Sequence, residues 1–260
     1  MEFTCLLYEV KGNVAYITLN RPDVFNAFND EQSYEMQSAL KAAHRDDQVR
    51  VVVLTGAGRA FCSGQDLKAI AGAKNRSLRD SLDKRYNPII KAMRTMPKPI
   101  IGMINGVAAG AGCSLALACD FVVASSKASF IEVFINVGLV LDSGSSYFLP
   151  RLVGSARAFE MSTMGSKITA QQALEWGIVN RVAEPEELEN VTSEIVAYYE
   201  KAPTKAIALM KNMLNKSFHS DLDTMLEYEA MCQDVAGKSE DYQEGVKAFN
   251  EKRTPEFRGR

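Results

Sequence analysis

NGVAAGAGCSLALACDFVVASSKASFIEVFINVGLVLDSGSSYFLP, Asn105 to Pro150, is the stretch from which the rest of the chain is read. It opens on a loop of small residues, Gly106 to Gly112, and continues as a helix-like run, Cys113–Cys119. A β-branched strand, Phe121–Ala124, comes next, and then a second glycine-containing turn built around one acid, Asp142. Small residues let the backbone approach a ligand closely, and amides at a helix start carry the positive end of the helix dipole. A loop of this kind suits an oxyanion or a phosphate. The carboxylate farther along can supply proton chemistry.

Reading outward, the same order of elements recurs. Val49–Thr55 (VRVVVLT) is a continuous apolar run, the pattern of a strand buried on both faces. It turns through Gly56-Ala57-Gly58 into AFCSGQDLKAI, a second small-residue loop. Ile100–Asn105, after Met96-Pro97-Lys98-Pro99, is the apolar strand leading into the stretch quoted above. Upstream, Leu6–Lys11 and Val14–Asn20 form a hairpin across Gly12-Asn13, and Asp30 is the expected N-cap of an amphipathic helix to Arg45. Residues 75–94 read as a charged helix interrupted at Asn87-Pro88. Downstream come helices over Leu152–Met164 and Ala170–Trp176, then a short strand over Gly177–Val182. Nearly continuous helix follows, with breaks at Pro203 and near Gly237. The fold class is α/β, expected as a core over residues 1–190 with a C-terminal helical region over 191–260.

Composition narrows the function. With 260 residues the chain can bury a substantial core. A net charge of −2 argues against nucleic acid or an anionic membrane as the main partner. Five cysteines form no CxxC pair, and their odd number argues against a disulfide framework. No apolar run approaches membrane-spanning length and the N-terminus resembles no signal or transit peptide, so the expected location is cytoplasmic.

Six segments, in order, resemble the enoyl-CoA hydratase/isomerase (crotonase) superfamily. They are LNRPDVFNAF at 19–28, GAGRAFCSGQDLK at 56–68, PKPIIGMINGVAAGAGCSLALACD at 97–120 and GLVLDSGSSYFLPRLVG at 138–154, followed by ITAQQALEWGIVNRV at 168–182 and FNEKRTPEF at 249–257. The resemblance implies a spiral of ββα turns with a C-terminal helical region used in trimerisation, as a homotrimer or a dimer of trimers. It implies an acyl-CoA thioester substrate, coenzyme A being part of that substrate, with no further cofactor and no metal. It implies an oxyanion hole made by the backbone amides of Gln65 and Ala111. Val24, Phe25, Ser63, Gly64, Asp66, Leu67 and Gly110 are implied along the coenzyme A path, with Phe249 and Lys252 reaching the coenzyme A of a neighbouring subunit.

The chain departs from the hydratases of that family where acids are concerned. The glutamate of their GGGCEL-type motif is Ser114 here, and the PE-type glutamate aligns with Phe134. Asp142 remains, at the position where several double-bond isomerases of the family, the phenylacetate-type ring-epoxide isomerases among them, carry their acid. One carboxylate suits a 1,3-proton shuttle on an enoyl-CoA or ring-epoxide thioester, and Asp142 is the expected acid/base. A hydratase with an altered acid set and a non-catalytic acyl-CoA-binding protein are the competing readings. The absence of a histidine near the oxyanion loop disfavours the aryl-CoA dehalogenases.

Other roles exist for each of these residues. Asp142 before Ser-Gly-Ser-Ser fits a helix N-cap, and Gly110 and Gly112 fit helix–strand packing. Glu132 shares a strand face with Phe134 and is either a second acid leaning into the pocket or, the commoner case, a solvated or salt-bridged strand carboxylate. His44 and His219 are expected on the surface, and Met210, Met213, Met225 and Met231 in helix packing. Arg76, Arg79, Lys84 and Arg85 make a basic helix that either meets coenzyme A phosphates or is simply solvated.

Overall fold

A computed structural model of the chain describes residues 3–70 and 77–260. Its strands, in chain order, are Leu6–Lys11 (β1), Val14–Leu19 (β2), Val51–Gly56 (β3), Ala60–Cys62 (β4) and Ile100–Ile104 (β5). Val107–Ala109 (β6), Phe121–Ser125 (β7), Ser129–Ile131 (β8), Ile168–Thr169 (β9) and Arg181–Ala183 (β10) complete the set. One sheet has the order β1-β2-β3-β5-β7-β10, antiparallel only between β1 and β2; the other has the order β4-β6-β8-β9, antiparallel only between β8 and β9. The chain alternates between them: β3 then β4, β5 then β6, β7 then β8. The second and third pairs each lead to a helix, Ala111–Leu117 and Ser145–Met164. Since β3, β5 and β7 are parallel neighbours, and so are β4, β6 and β8, successive ββα turns stack into the crotonase spiral.

Side-chain alternation explains the long apolar strands. In β3, Val52 and Leu54 enter the main core with Met36 and Leu40 of the helix Asp30–Arg45. Val51 and Val53 face the other way and pack with Val14, Ile101 and Val196. Val196 belongs to the helix Leu188–Lys201, so the expected division at 190/191 falls inside a helix that covers the sheet's second face. Helices Thr204–Ser217, Leu222–Gly237 and Glu240–Glu251 follow, with the breaks near Pro203 and Gly237 as expected.

Several boundaries differ from the sequence reading for local reasons. Asn29, not Asp30, caps the first long helix, its side chain accepting from the Gln32 N–H; Asp30 lies in the first turn. Asn87-Pro88 does not interrupt the helix. A π turn, Leu82–Tyr86, runs directly into Asn87–Thr95. Pro88 has no N–H for the Lys84 carbonyl, and Gln37 Nε2 donates there instead, at 2.9 Å. The last long helix of the core begins at Ser145 and breaks at Gly154, with φ 77°. On the basic helix, Arg79 pairs with Asp83, Lys84 with Asp80 and Arg85 with Asp30, while Arg76 lies outside the described residues.

Candidate active site

Stacking of the spiral turns brings the residues just after β4 beside those just after β6, and the loop after β8 closes over both. The three meet at a cavity of about 330 Å³. Ser63, Gly64, Gln65, Gly110, Ala111 and Asp142 all contribute to its wall, with apolar lining from Leu82, Val133, Phe134, Leu139 and Leu141.

The two small-residue loops lie side by side at this cavity. Phe28 forms a parallel bridge with Gln65, in which the Phe28 N–H donates to Gly64 O at 2.7 Å and the Asp66 N–H to Phe28 O at 2.9 Å. In that pattern the Gln65 N–H faces away from Phe28. The Gln65 side chain is fixed as well: Nε2 donates to Phe28 O at 2.8 Å, and the Tyr86 hydroxyl donates to Oε1. On the neighbouring turn the Gly110 N–H donates to Ile131 O at 2.9 Å. Ala111 then opens the helix Ala111–Leu117, where a first-turn N–H has no intrahelical acceptor. Gly64 (φ 96°) must lack a side chain for this approach. A Cβ there would sit 2.9 Å from the Ala109 carbonyl oxygen and 3.6 Å from the Ala111 nitrogen. Gly112 serves packing, since a Cβ on it would collide with the Cys62 backbone.

Asp142 does not cap a helix. The N-cap of Ser145–Met164 is Gly144, at φ 88°, without a side-chain cap. The Asp142 carboxylate instead accepts from Ser143 Oγ at 2.7 Å. Burial pushes its pKa up, against the pull of that hydroxyl.

Glu132 is neither on a strand nor solvated. β8 stops at Ile131, and the chain turns into a 3-10 helix, Val133–Val137, that carries Phe134. The Glu132 side chain is fully buried, makes no ion pair among the described residues, and does not line the cavity. Its Oε1 accepts from Ser145 Oγ at 2.8 Å, and its Oε2 has no partner among them. Burial raises its pKa to about 7, with the hydrogen bond from Ser145 and the neighbouring Cys113 thiol opposing and the Asp142 charge reinforcing.

The profile of the family described as enoyl-CoA hydratase/isomerase matches residues 9–260. The chain belongs to the enoyl-CoA hydratase/isomerase family. It is 41% identical over 263 residues, all of both chains, to the 1,2-epoxyphenylacetyl-CoA isomerase of Escherichia coli (strain K12). It is 35% identical, again over all of both chains, to a trans-2-decenoyl-[acyl-carrier-protein] isomerase of Streptococcus mutans. A crystal structure of an enoyl-CoA hydratase from Bacillus anthracis superposes with a TM-score of 0.94 at 33% identity, covering 99% of this chain and 100% of that one.

Within this enoyl-CoA hydratase/isomerase framework, the remaining expected residues separate into two groups. Leu67 lines the cavity, while Val24 and Phe25 stand beside its loop: Ser63 Oγ donates to Val24 O at 3.3 Å and the Ser63 N–H to Phe25 O at 3.0 Å. Asp66 is occupied structurally, paired with Arg21 at 3.0 Å and accepting from the Ala69 N–H at 3.0 Å. Phe249 and Lys252, at the end of Glu240–Glu251, are outside the cavity lining, and Phe249 is 84% exposed. Both histidines are exposed, and His219 Nε2 lies 3.0 Å from the Tyr147 hydroxyl. Met225 is buried as expected, but Met210 and Met231 are exposed. The described residues hold no group of three or more His, Cys, Asp or Glu side chains suited to a metal, and no helix among them is long and apolar enough to cross a membrane. Tyr86, which fixes Gln65, and Ser145, which joins Glu132 to the site, were not identifiable from sequence as parts of it.

Proposed function

We propose that this chain is an acyl-CoA double-bond isomerase, acting on an enoyl-CoA or a ring-epoxide-type acyl-CoA thioester by a 1,3-proton shuttle. The observation that carries the reading is that Asp142 is the one carboxylate among the described residues lining the cavity. The thioester oxygen sits between the Gln65 and Ala111 amides, which take up charge as the enolate forms. Each such donor contributes about 3 kcal/mol, or 10²–10³ in rate. The dipole of Ala111–Leu117 points its positive end the same way. Asp142 removes a proton at one carbon of the conjugated system and returns it at the other. Its raised proton affinity makes it a stronger base than an exposed aspartate, and the apolar wall around Phe134 and Leu141 keeps the charge poorly solvated. The thioester's coenzyme A is the only cofactor-like group the chemistry requires. Oligomerisation as a homotrimer or a dimer of trimers is part of the proposal, supported by the exposed apolar side chains of Met210 and Leu214 on Thr204–Ser217 and of Phe218 just past its end.

The test is a paired assay of wild type and Asp142→Asn with 3-enoyl-CoA and 2-enoyl-CoA, the product followed by mass. Turnover of 3-enoyl-CoA without mass gain, lowered about 10³-fold in Asp142→Asn, is the expected result. A product heavier by one water from 2-enoyl-CoA, or an active Asp142→Asn, overturns it.

A further inference from the structure

Behind the cavity wall lies a polar chain that the proton shuttle leaves unused. It begins at Glu132, whose Oε1 is 2.8 Å from Ser145 Oγ. Ser145 Oγ is 2.7 Å from Ser114 Oγ, which in turn lies 3.1 Å from the carbonyl oxygen of Asp142 and 3.2 Å from that of Gly110. The Ser145 N–H donates to the same Asp142 carbonyl at 3.0 Å. Glu132, Ser114 and Ser145 are all fully buried. A carboxyl, two hydroxyls and the main chain of the candidate base therefore form one network closed off from water.

Each hydroxyl owns a single proton, so the network has a direction. An ionised Glu132 only accepts. Ser145 must then donate to it, and Ser114 can satisfy Ser145. A neutral Glu132 can donate to Ser145, which passes its own proton toward Ser114, leaving the Ser114 hydroxyl to donate to the Asp142 or Gly110 carbonyl. The titratable groups facing Glu132 are Cys113 from the helix Ala111–Leu117 and Asp142 from the turn before Ser145. Burial and the nearby Glu132 push the Cys113 thiol far up, so it stays neutral. Two carboxyls in this setting resist ionising together.

We propose that Glu132 is a positioning residue whose protonation state sets the direction of the Ser145–Ser114 hydroxyl pair and, through it and through charge repulsion, the basicity of Asp142. The proposal rests on the reading of Asp142 as the acid/base. With Glu132 neutral, Asp142 is the weaker base. With Glu132 ionised, the second charge raises the proton affinity of Asp142 and speeds proton removal. Burial holding Glu132 near neutrality puts the change within the working pH range.

The experiment is kcat and KM for 3-enoyl-CoA isomerisation from pH 5.5 to 9 in wild type, Glu132→Gln and Ser145→Ala. In parallel, infrared difference spectra follow the protonated carboxyl band of each protein without substrate. Wild type should show a step near pH 7 above which kcat is about 3- to 10-fold higher, KM being unchanged. Glu132→Gln should lose the step, settle at the lower plateau, and lack the band that titrates with it. Ser145→Ala removes a hydrogen bond that favours the anion, so its step and band should move to higher pH. A step retained in Glu132→Gln, a wild type that is active without one, or a uniform loss at every pH with a changed KM each overturns the Glu132 proposal alone. A wild type that converts no enoyl-CoA, or an active Asp142→Asn, overturns the isomerase reading. In that case a band near pH 7 absent from Glu132→Gln still supports titration within the network, and no such band defeats it.

Discussion

Replacing Glu132 with glutamine tests whether a carboxyl is held in the core without a counter-charge. Burial moves its pKa from an ordinary 4.5 to about 7. Because the folded-state value is the higher one, the folded protein binds more protons between those two points. Stability from this group is fully present below 4.5 and lost as pH rises through about 7. At about 1.4 kcal/mol per tenfold change in the equilibrium, the full loss is about 3 kcal/mol. Glutamine keeps the shape of the neutral acid and cannot ionise. It places an N–H₂ or carbonyl where Oε2 has no partner, and that cost does not vary with pH. The measurable quantity is the difference between the two proteins as pH changes, since all other carboxyls titrate alike in both. Urea unfolding at one fixed protein concentration should therefore find wild type weakening against Glu132→Gln by about 2–3 kcal/mol between pH 5 and pH 8.5. Parallel stability curves would refute the reasoning, because they require a Glu132 that titrates like an exposed carboxylate.

Two further substitutions probe the loops that set the amides. Gly112→Ala places a Cβ 2.7 Å from Cys62 Cβ and against the Cys62 carbonyl, so the start of Ala111–Leu117 must shift; kcat should fall at least about 100-fold, with about 1–3 kcal/mol of stability lost on urea unfolding. Tyr86→Phe removes the hydroxyl that holds Gln65 Oε1 and keeps the ring against Phe28, at 5.7 Å between centroids; steady-state kinetics should show kcat down about 3- to 10-fold with KM much less affected.

Short-range patterns were enough for the strands, and the family resemblance for the stacking of spiral turns; contacts between distant segments decided the rest. The runs VVVLT and IIGMI are apolar because both faces of β3 and β5 are covered, and Gly12-Asn13 lies where Lys11 pairs with Val14. The small-residue loops were legible because only glycine tolerates φ 96° at Gly64 against the Ala109 carbonyl. Strand alternation does not reach Glu132, because β8 is three residues long and ends at Ile131. No local pattern signals that Ser145, 13 positions on, will reach back to bury that carboxylate. The resemblance assigns a role to the Gln65 amide and none to its side chain. Its side chain is held by Tyr86, which lies 21 positions away at the end of a π turn that helix periodicity does not anticipate. Capping residues stand side by side at Asn29 and Asp30, and only the hydrogen bond to Gln32 distinguishes them.

The placement of acids bears on the choice between moving a double bond and adding water across it. Hydration needs a group that holds and activates a water as well as one that protonates the neighbouring carbon. Here the cavity face that includes Phe134 is apolar, and the one carboxylate found on the described lining is Asp142. Ser114 has no ionisable group, and its hydroxyl is engaged with two carbonyls and Ser145. The other acid in the neighbourhood, Glu132, is turned into the protein, where a water activated by it could not reach the substrate. Moving that carboxyl two positions, by pairing Glu132→Gln with Phe134→Glu, would put an acid on the cavity wall. If acid placement alone separates the two reactions, that double variant gains mass-shifted product from 2-enoyl-CoA. If it gains none while still isomerising, the shape of the apolar wall excludes water by itself, and the identity of the residue at 134 matters only through its volume.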